Sequence, residues 1–224
     1  MSGSHGEAGK MGKRPVIFFD WDGTLGDSMD LCLGEIRLAL KRVGHEEVSE
    51  DKIRACNGPT HEESIGILGL SPEEGPAFLR ERIRSEQELI PVLLKVYPGV
   101  PQALHRLMHF ADLAIVSNGQ EDYIRSSVAV FGLTDCFVRI QAAIPGQGKS
   151  KTLADMIRIM EPSASCMVGD RRTDIKAGLD NHLPTMAVTY GYGEPWEWEG
   201  ATVLADSVEA MTEKLEAWAA AHNG

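Results

Sequence analysis

Four short apolar runs alternate along the chain with longer segments of helical periodicity. The runs cover residues 16–19, 113–116, 166–168 and 186–188, and each ends in a polar or glycine-containing turn. Such runs are typical of buried parallel strands. Helical patterns at residues 100–109, 123–131, 152–160, 173–181 and 207–221 separate or follow them. The pattern therefore predicts βαβ units and an α/β fold.

Residues 28–95 differ from the rest because they contain no convincing strand pattern. Apolar side chains recur there at three- and four-residue spacing, and Pro59, Pro72 and Pro76 divide the segment. We expect a small all-helical unit, residues 28–95, inserted into a core formed by residues 14–27 and 96–224. Residues 1–13 lack the apolar centre of a signal peptide and are expected to form a flexible leader.

Composition and charge narrow the functional classes. The 224 residues are 43% hydrophobic and 25% charged, which suffices for a sizeable core. A net charge of -11 argues against nonspecific binding to nucleic acid or anionic membranes. No apolar stretch approaches the ~20 residues of a membrane span. Four scattered cysteines without a Cys-x-x-Cys pair indicate reduced thiols and a cytoplasmic protein. A monomer or a homodimer is expected.

Asp20 and Asp22 are the most informative residues, because they follow the first apolar run directly. Ligands of open α/β sheets bind at the carboxyl ends of the strands. Two carboxylates held close together repel each other, and a bound divalent cation is the usual way for both to stay ionised. The sequence therefore predicts a metal-dependent site at this strand end.

Polar loops follow other predicted strands as well. Residues 117–119 (Ser-Asn-Gly) follow the second run, and Gly169 and Asp170 follow the third. A lysine-bearing segment, residues 146–151, precedes the helix expected from residue 152. In a doubly wound fold these loops can meet at one sheet edge.

These motifs, in this order, resemble the four motifs of the haloacid-dehalogenase-like hydrolase superfamily. The likeness runs from residue 16 to about residue 192, and the helical insertion resembles that of the phosphoglycolate-phosphatase-like branch. The resemblance implies a doubly wound, Rossmann-like parallel sheet carrying a small helical cap. In the family, such a cap closes over the site and excludes water.

The resemblance also implies roles for the acids. Asp20 would be the nucleophile that forms an aspartyl-phosphate, and Asp22 the general acid and base. A pure dehalogenase has no need of the second acid, which favours phosphoryl transfer. Mg²⁺ would be held by Asp20, the Asp22 backbone carbonyl and Asp170, while Asp174 would orient a metal-bound water.

The phosphate would be bound by Ser117, Asn118 and Gly119, with Thr24 facing it as well. The active-site lysine is expected to be Lys149, because the apolar face of the following helix begins just after it. Lys151 remains the alternative, since the family more often has proline after this lysine and Ser150 stands there instead.

The predicted function is Mg²⁺-dependent hydrolysis of a small, phosphoglycolate-like phosphomonoester. Asn57, Thr60 and Arg54, in and beside the loop at residues 56–60, are the expected cap contacts to the leaving group. A sugar-phosphate mutase of the same fold and a non-catalytic regulatory or binding protein are the alternatives.

Overall fold

The computed structural model describes residues 13–45 and 48–222. The predicted leader therefore lies almost wholly outside the described residues. In chain order the elements are β1 (Val16–Phe19), β2 (Gly26–Asp27), α1 (Met29–Arg42), α2 (Glu50–Arg54), α3 (His61–Leu68), α4 (Gly75–Leu93), β3 (Lys95–Val96), α5 (Val100–Leu107), β4 (Asp112–Val116), α6 (Glu121–Val130), β5 (Arg139–Gln141), α7 (Lys149–Met160), β6 (Ser165–Gly169), α8 (Arg172–Asp180), β7 (Thr185–Val188), β8 (Val203–Ala205) and α9 (Val208–His222).

Within the described ranges the main sheet has six parallel strands in the order β5-β4-β1-β6-β7-β8. Strand β1 lies between β4 and β6, with Ile17 paired to Leu113 and to Cys166. The central position explains why β1 is apolar at every residue. The order reverses at β1, so the carboxyl ends of β1, β4 and β6 border one crevice.

Helices cover both faces of the sheet. Ile17 and Phe19 of β1 point to one face, where they share an apolar cluster with residues of α5, α6 and α9. Val16 and Phe18 point to the other face and share a cluster with residues of α7 and α8. This alternation along one strand confirms the predicted doubly wound α/β fold.

Three features of the sheet structure were missed by the apolar pattern. Strands β5 and β8 occupy the two edges of the sheet, are short, and expose part of their residues. An edge strand with one covered face lacks the continuous apolar run of a central strand, which is why neither was predicted. The antiparallel pair β2–β3 joins the two ends of the helical segment.

Helices α1 to α4 follow one another between β2 and β3 and have an apolar cluster of their own, which includes Ile36, Ile53 and Phe78. Their assignment as a separate domain stays a prediction. All four cysteines are buried and free, as expected for reduced thiols. None of the helices in the described ranges has both the length and the apolar character needed to span a membrane.

Candidate active site

The loop after β1 places the first acid at the mouth of the crevice. The backbone amides of Leu25 and Gly26 both donate to the carbonyl of Trp21, whose side chain is fully buried. Gly23 within this turn has a φ of 77°, which glycine adopts without strain. The turn holds the Asp20 carboxylate, 4% exposed, at the carboxyl end of the strand.

Two glycines leave the space in which the Asp170 side chain approaches this turn. A Cβ on Gly23 would lie 2.3 Å from Asp170 Oδ2, and one on Gly191 would lie 2.5 Å from Asp170 Cβ. The backbone amides of Tyr192 and Gly193 donate to Asp170 Oδ2 at 2.7 Å and 3.2 Å. These contacts fix a carboxylate that is itself fully buried.

Lys149 is the first residue of α7, and its side chain is buried between two acids. Its Nζ lies 2.6 Å from Asp174 Oδ1 and 3.0 Å from Asp20 Oδ1. Lys151 lies on the exposed side of the helix, where it pairs with Asp155 at 3.3 Å. Only Lys149 of the two therefore reaches the candidate site, and its role stays a prediction.

The acid cluster fits a divalent cation. Carboxylate oxygens of Asp20, Asp170 and Asp174 all lie within 4.8 Å of one another. Burial, followed by the charges of Asp174 and Asp20, raises the pKa of Asp170 well above its usual value. Asp20 Oδ1 is buried and makes no bond with hydrogen-bond geometry to any described residue, although Lys149 is close. Three buried carboxylates beside one lysine leave an excess of negative charge that a metal ion would offset.

Asp174 and Thr24 have contacts that the sequence did not predict. Asp174 is fully buried, and its Oδ2 accepts from the Arg171 amide at 3.0 Å while its Oδ1 holds Lys149. The Thr24 hydroxyl donates to Asp170 Oδ1 at 3.5 Å. Thr24 therefore contacts the candidate metal ligand, and its predicted phosphate contact stays a prediction.

The Asp22 side chain lines the crevice beside Asp20 and accepts a hydrogen bond from the Tyr123 hydroxyl at Oδ1. Burial raises the pKa of Asp22 to about 6, while hydrogen bonds from Ser28 and Tyr123 act in the opposite direction. A carboxyl group in this range can both donate and accept a proton near neutral pH. The contact between Tyr123 and Asp22 was not predicted, because the position of Tyr123 in α6 fits the pattern of an apolar helix face.

The loop after β4 lies across the crevice from Asp22. Ser117 is buried, and its Oγ accepts from the Gly119 amide at 3.1 Å. The Asn118 side chain donates to the Gly58 carbonyl at 3.1 Å, which ties this loop to the helical insertion. The crevice thus brings together the loops that follow β1, β4 and β6, as the sequence predicted.

A small cavity of about 40 Å³ lies between the loops that follow β1 and β4 and the helical insertion. Of the three predicted contacts from the insertion, Asn57 lines this cavity, and its amide donates to Ser28 Oγ at 3.3 Å. Thr60 caps α3 through Glu63 and lines a neighbouring pocket together with Lys149. Its contact to a leaving group stays a prediction. Capping satisfies backbone amides that would otherwise be unpaired.

Arg54 is also absent from the lining of this cavity among the described residues. It pairs with Glu50 one helical turn earlier, at 2.7 Å. Arg171, which the sequence did not single out, makes the link between core and insertion instead. Its guanidinium donates to the Asn57 carbonyl at 2.9 Å and to Glu197 at 3.0 Å. No local pattern marks Arg171 for this contact, because its partners lie far along the chain.

Comparison with known proteins agrees with this geometry. A family model described as haloacid dehalogenase-like hydrolase matches residues 17–188. A phosphoglycolate phosphatase from Synechococcus elongatus is 26% identical over 182 residues, which cover 80% of this chain and 85% of that protein. One from Vibrio parahaemolyticus is 28% identical over 217 residues, covering 88% and 94% respectively.

A solved structure described as a predicted phosphatase from Clostridium acetobutylicum has a TM-score of 0.80. The match covers 91% of this chain and 99% of that chain at 21% sequence identity. At this identity the match shows the fold.

Proposed function

Because the chain belongs to the haloacid dehalogenase-like hydrolase family, in its phosphoglycolate-phosphatase-like branch of phosphatases, we propose that it hydrolyses a small phosphomonoester with the help of Mg²⁺. The observation that carries this proposal is the buried Asp20 carboxylate at the end of β1, with Lys149 Nζ 3.0 Å away and Asp170 in the same cluster. The acidic cluster itself favours a cation, and the cation would in turn favour an anionic substrate.

The metal would be held by the side chains of Asp20 and Asp170 and by the backbone carbonyl of Asp22. Bound there, Mg²⁺ supplies positive charge for the phosphate oxygens. Hard carboxylate and carbonyl oxygens are the ligands that this ion prefers. Asp174 would orient a water of the metal, while it holds Lys149 beside Asp20.

Asp20 would attack phosphorus with a carboxylate oxygen. A bond from this oxygen to phosphorus forms while the ester bond from phosphorus to the leaving oxygen breaks. Asp22 would give its proton to the leaving oxygen, and the product alcohol would depart. Asp22 would then take a proton from water as the water oxygen attacks phosphorus, which releases phosphate and restores Asp20.

Other groups would bind and orient the phosphate without exchanging protons. Lys149 would neutralise charge next to Asp20, and the Ser117 hydroxyl with the amides of Asn118 and Gly119 would provide further hydrogen-bond donors. Positioning and charge stabilisation of this kind account for most of phosphoryl-transfer catalysis.

A small leaving group suits the cavity between Asp20 and the helical insertion, whose volume of about 40 Å³ is room for only a few waters. Phosphoglycolate is the first compound to test, because relatives carry its name. The buried free thiols support the additional proposal that the protein works in the cytoplasm.

The test compares hydrolysis of p-nitrophenyl phosphate by wild type, by Asp20→Asn and by Asp206→Asn, an exposed control. We expect Asp20→Asn to lose more than about a thousandfold in rate with its fold intact by circular dichroism, and Asp206→Asn to be unaffected. Removal of divalent cations should abolish wild-type activity, and Mg²⁺ should restore it. Substantial hydrolysis by Asp20→Asn would reject the nucleophile, and a requirement for a bisphosphate activator would indicate a mutase instead.

A further inference from the structure

Four ionisable side chains of the helical segment meet at the wall of the same cavity, and the proposed reaction uses none of them. They are Glu35 of α1, His61 of α3, and Arg82 and Glu86 of α4. Each is only 2% to 5% exposed, and all four line the cavity together with Asp20. Burial of so many ionisable groups is costly unless each is paired and hydrogen-bonded.

The positive charge in this group already has its partners. Arg82 donates from Nε to Glu35 Oε1 at 2.9 Å, and its Nη2 lies 2.8 Å from the same oxygen. Its Nη1 donates to Ser64 Oγ at 2.9 Å. The guanidinium is therefore fixed within the helical segment.

Two polar atoms of the group remain without partners. Glu35 Oε2 and His61 Nδ1 are buried and have no hydrogen bond to any described residue. Oxygens of Glu35 and Glu86 and a ring nitrogen of His61 all lie within 4.8 Å of one another. An unpaired buried acceptor is unfavourable, so these atoms suit a ligand that donates hydrogen bonds.

The charge of the cavity favours a cationic donor. Its described lining contains four carboxyl groups, those of Asp20, Asp22, Glu35 and Glu86, against the single guanidinium of Arg82. A metal ion would offset the negative charge of Asp20 at the end of the cavity where the phosphate would bind. The other end of the cavity, formed by Glu35 and Glu86, would stay acidic. A carboxylate there would face the carboxyl groups of Glu35 and Glu86, only the first of which is offset by Arg82. An ammonium group could instead donate hydrogen bonds to both carboxyl groups.

We propose that the substrate is a short aminoalkyl phosphate and that Glu35 and Glu86 bind its protonated amine. The leaving group of this substrate would extend from Asp20 to the helical segment. The proposal rests on the proposed phosphatase function and assigns its substrate class. A two-carbon amine matches the small volume of the cavity, about 40 Å³.

A proton on the acid pair would compete with the ammonium group. Burial raises the pKa of Glu35 to about 8 and the pKa of Glu86 to about 7. Burial lowers the pKa of His61 to about 4, so its ring is neutral near pH 7. The bound amine would displace a proton from this pair, so its binding should strengthen as pH rises. The groups that act on the pair from neighbouring elements are Arg82, His61, Cys32, Asp22 and Tyr123.

The experiment uses three phosphomonoesters with two-carbon leaving groups: 2-aminoethyl phosphate, 2-hydroxyethyl phosphate and phosphoglycolate. For the wild-type holoenzyme with Mg²⁺ we expect kcat/KM for the amine to exceed that for the carboxylate by at least roughly tenfold. The ratio of amine to hydroxyl substrate should rise between about pH 6 and pH 8. This ratio cancels the titration of Asp22, because both substrates use the same carboxyl group.

Glu86→Gln is the test variant, because Gln keeps the shape and removes one of the two carboxyl groups proposed to bind the amine. We expect it to lower the ratio of amine to carboxylate substrate by roughly tenfold. Glu73→Gln, an exposed glutamate outside the cavity lining, is the matched control and should leave the ratio unchanged.

Equal or reversed substrate ratios in wild type would overturn the amine site. So would an unchanged ratio in a folded Glu86→Gln variant, and if that variant does not fold, the wild-type ratio alone decides. In each case, hydrolysis of p-nitrophenyl phosphate that is lost in Asp20→Asn would still support the proposed phosphatase function. No hydrolysis of any phosphoester with Mg²⁺ would overturn both proposals.

Discussion

Replacement of Lys149 by methionine removes a buried charge and keeps most of the side-chain volume. The ammonium group lies within 3.0 Å of both Asp20 and Asp174, and its side chain is 3% exposed. Removing one partner from a buried ion pair costs about 3–5 kcal/mol, because the remaining charge is left uncompensated. For a protein of this size, that loss corresponds to a fall in Tm of roughly 6–20 °C.

The assay is thermal unfolding followed by circular dichroism, with EDTA present so that no divalent cation replaces the lysine. Lys151→Met is the matched control, since its side chain is 68% exposed and pairs with Asp155 only at the surface. It should leave Tm almost unchanged.

The pH dependence of this effect has a definite sign. Burial, followed by the charge of Asp20, raises the pKa of Asp174 to about 6 even with Lys149 in place. Without the lysine this pKa rises further, and below it a bound proton replaces the missing positive charge. The Tm difference between wild type and Lys149→Met should therefore be larger at about pH 8 than at about pH 5.5. Equal effects of the two lysine replacements, or a difference independent of pH, would refute the placement of Lys149 among the acids.

The remaining predictions concern the turn and the second acid. Gly23→Ala should destabilise the fold and lower activity, because its Cβ would lie 2.3 Å from Asp170 Oδ2 at a φ of 77°. Gly44→Ala has a φ of 81°, and none of the residues that the structure describes, its chain neighbours aside, has an atom within 4 Å of the added Cβ. It imposes similar backbone strain and should lose only about 1–2 kcal/mol; equal losses would contradict the role of the close approach. Tyr123→Phe removes the donor to Asp22, so the pKa of this carboxyl should rise above about 6. Its pH–rate profile with an alkyl phosphate should shift toward higher pH, and a superimposable profile would reject this hydrogen bond.

The fold could be predicted largely from apolar runs. The central strands β1, β4, β6 and β7 are covered on both faces, so each leaves a continuous apolar signal in the sequence. The edge strands β5 and β8 leave no such signal, because neighbours on one side only and partial exposure permit polar residues there.

The sequence by itself determined which acids end the central strands and in what order they occur. The parallel arrangement of strands then brings Asp20, Ser117 and Asp170 to one edge whatever the connecting segments contain. Local spacing can fix this much, because it depends only on where each strand ends.

Only the tertiary structure decided which of two nearby lysines turns inward. It also decided that the Tyr123 hydroxyl donates a hydrogen bond to Asp22. It also gathered Glu35, His61 and Glu86 from three different helices into one cavity wall. Helical periodicity indicates which side of a helix is buried but does not identify the residues that it meets. Partners far apart in the chain are chosen by packing, and the chemistry of the leaving-group pocket depends on that choice.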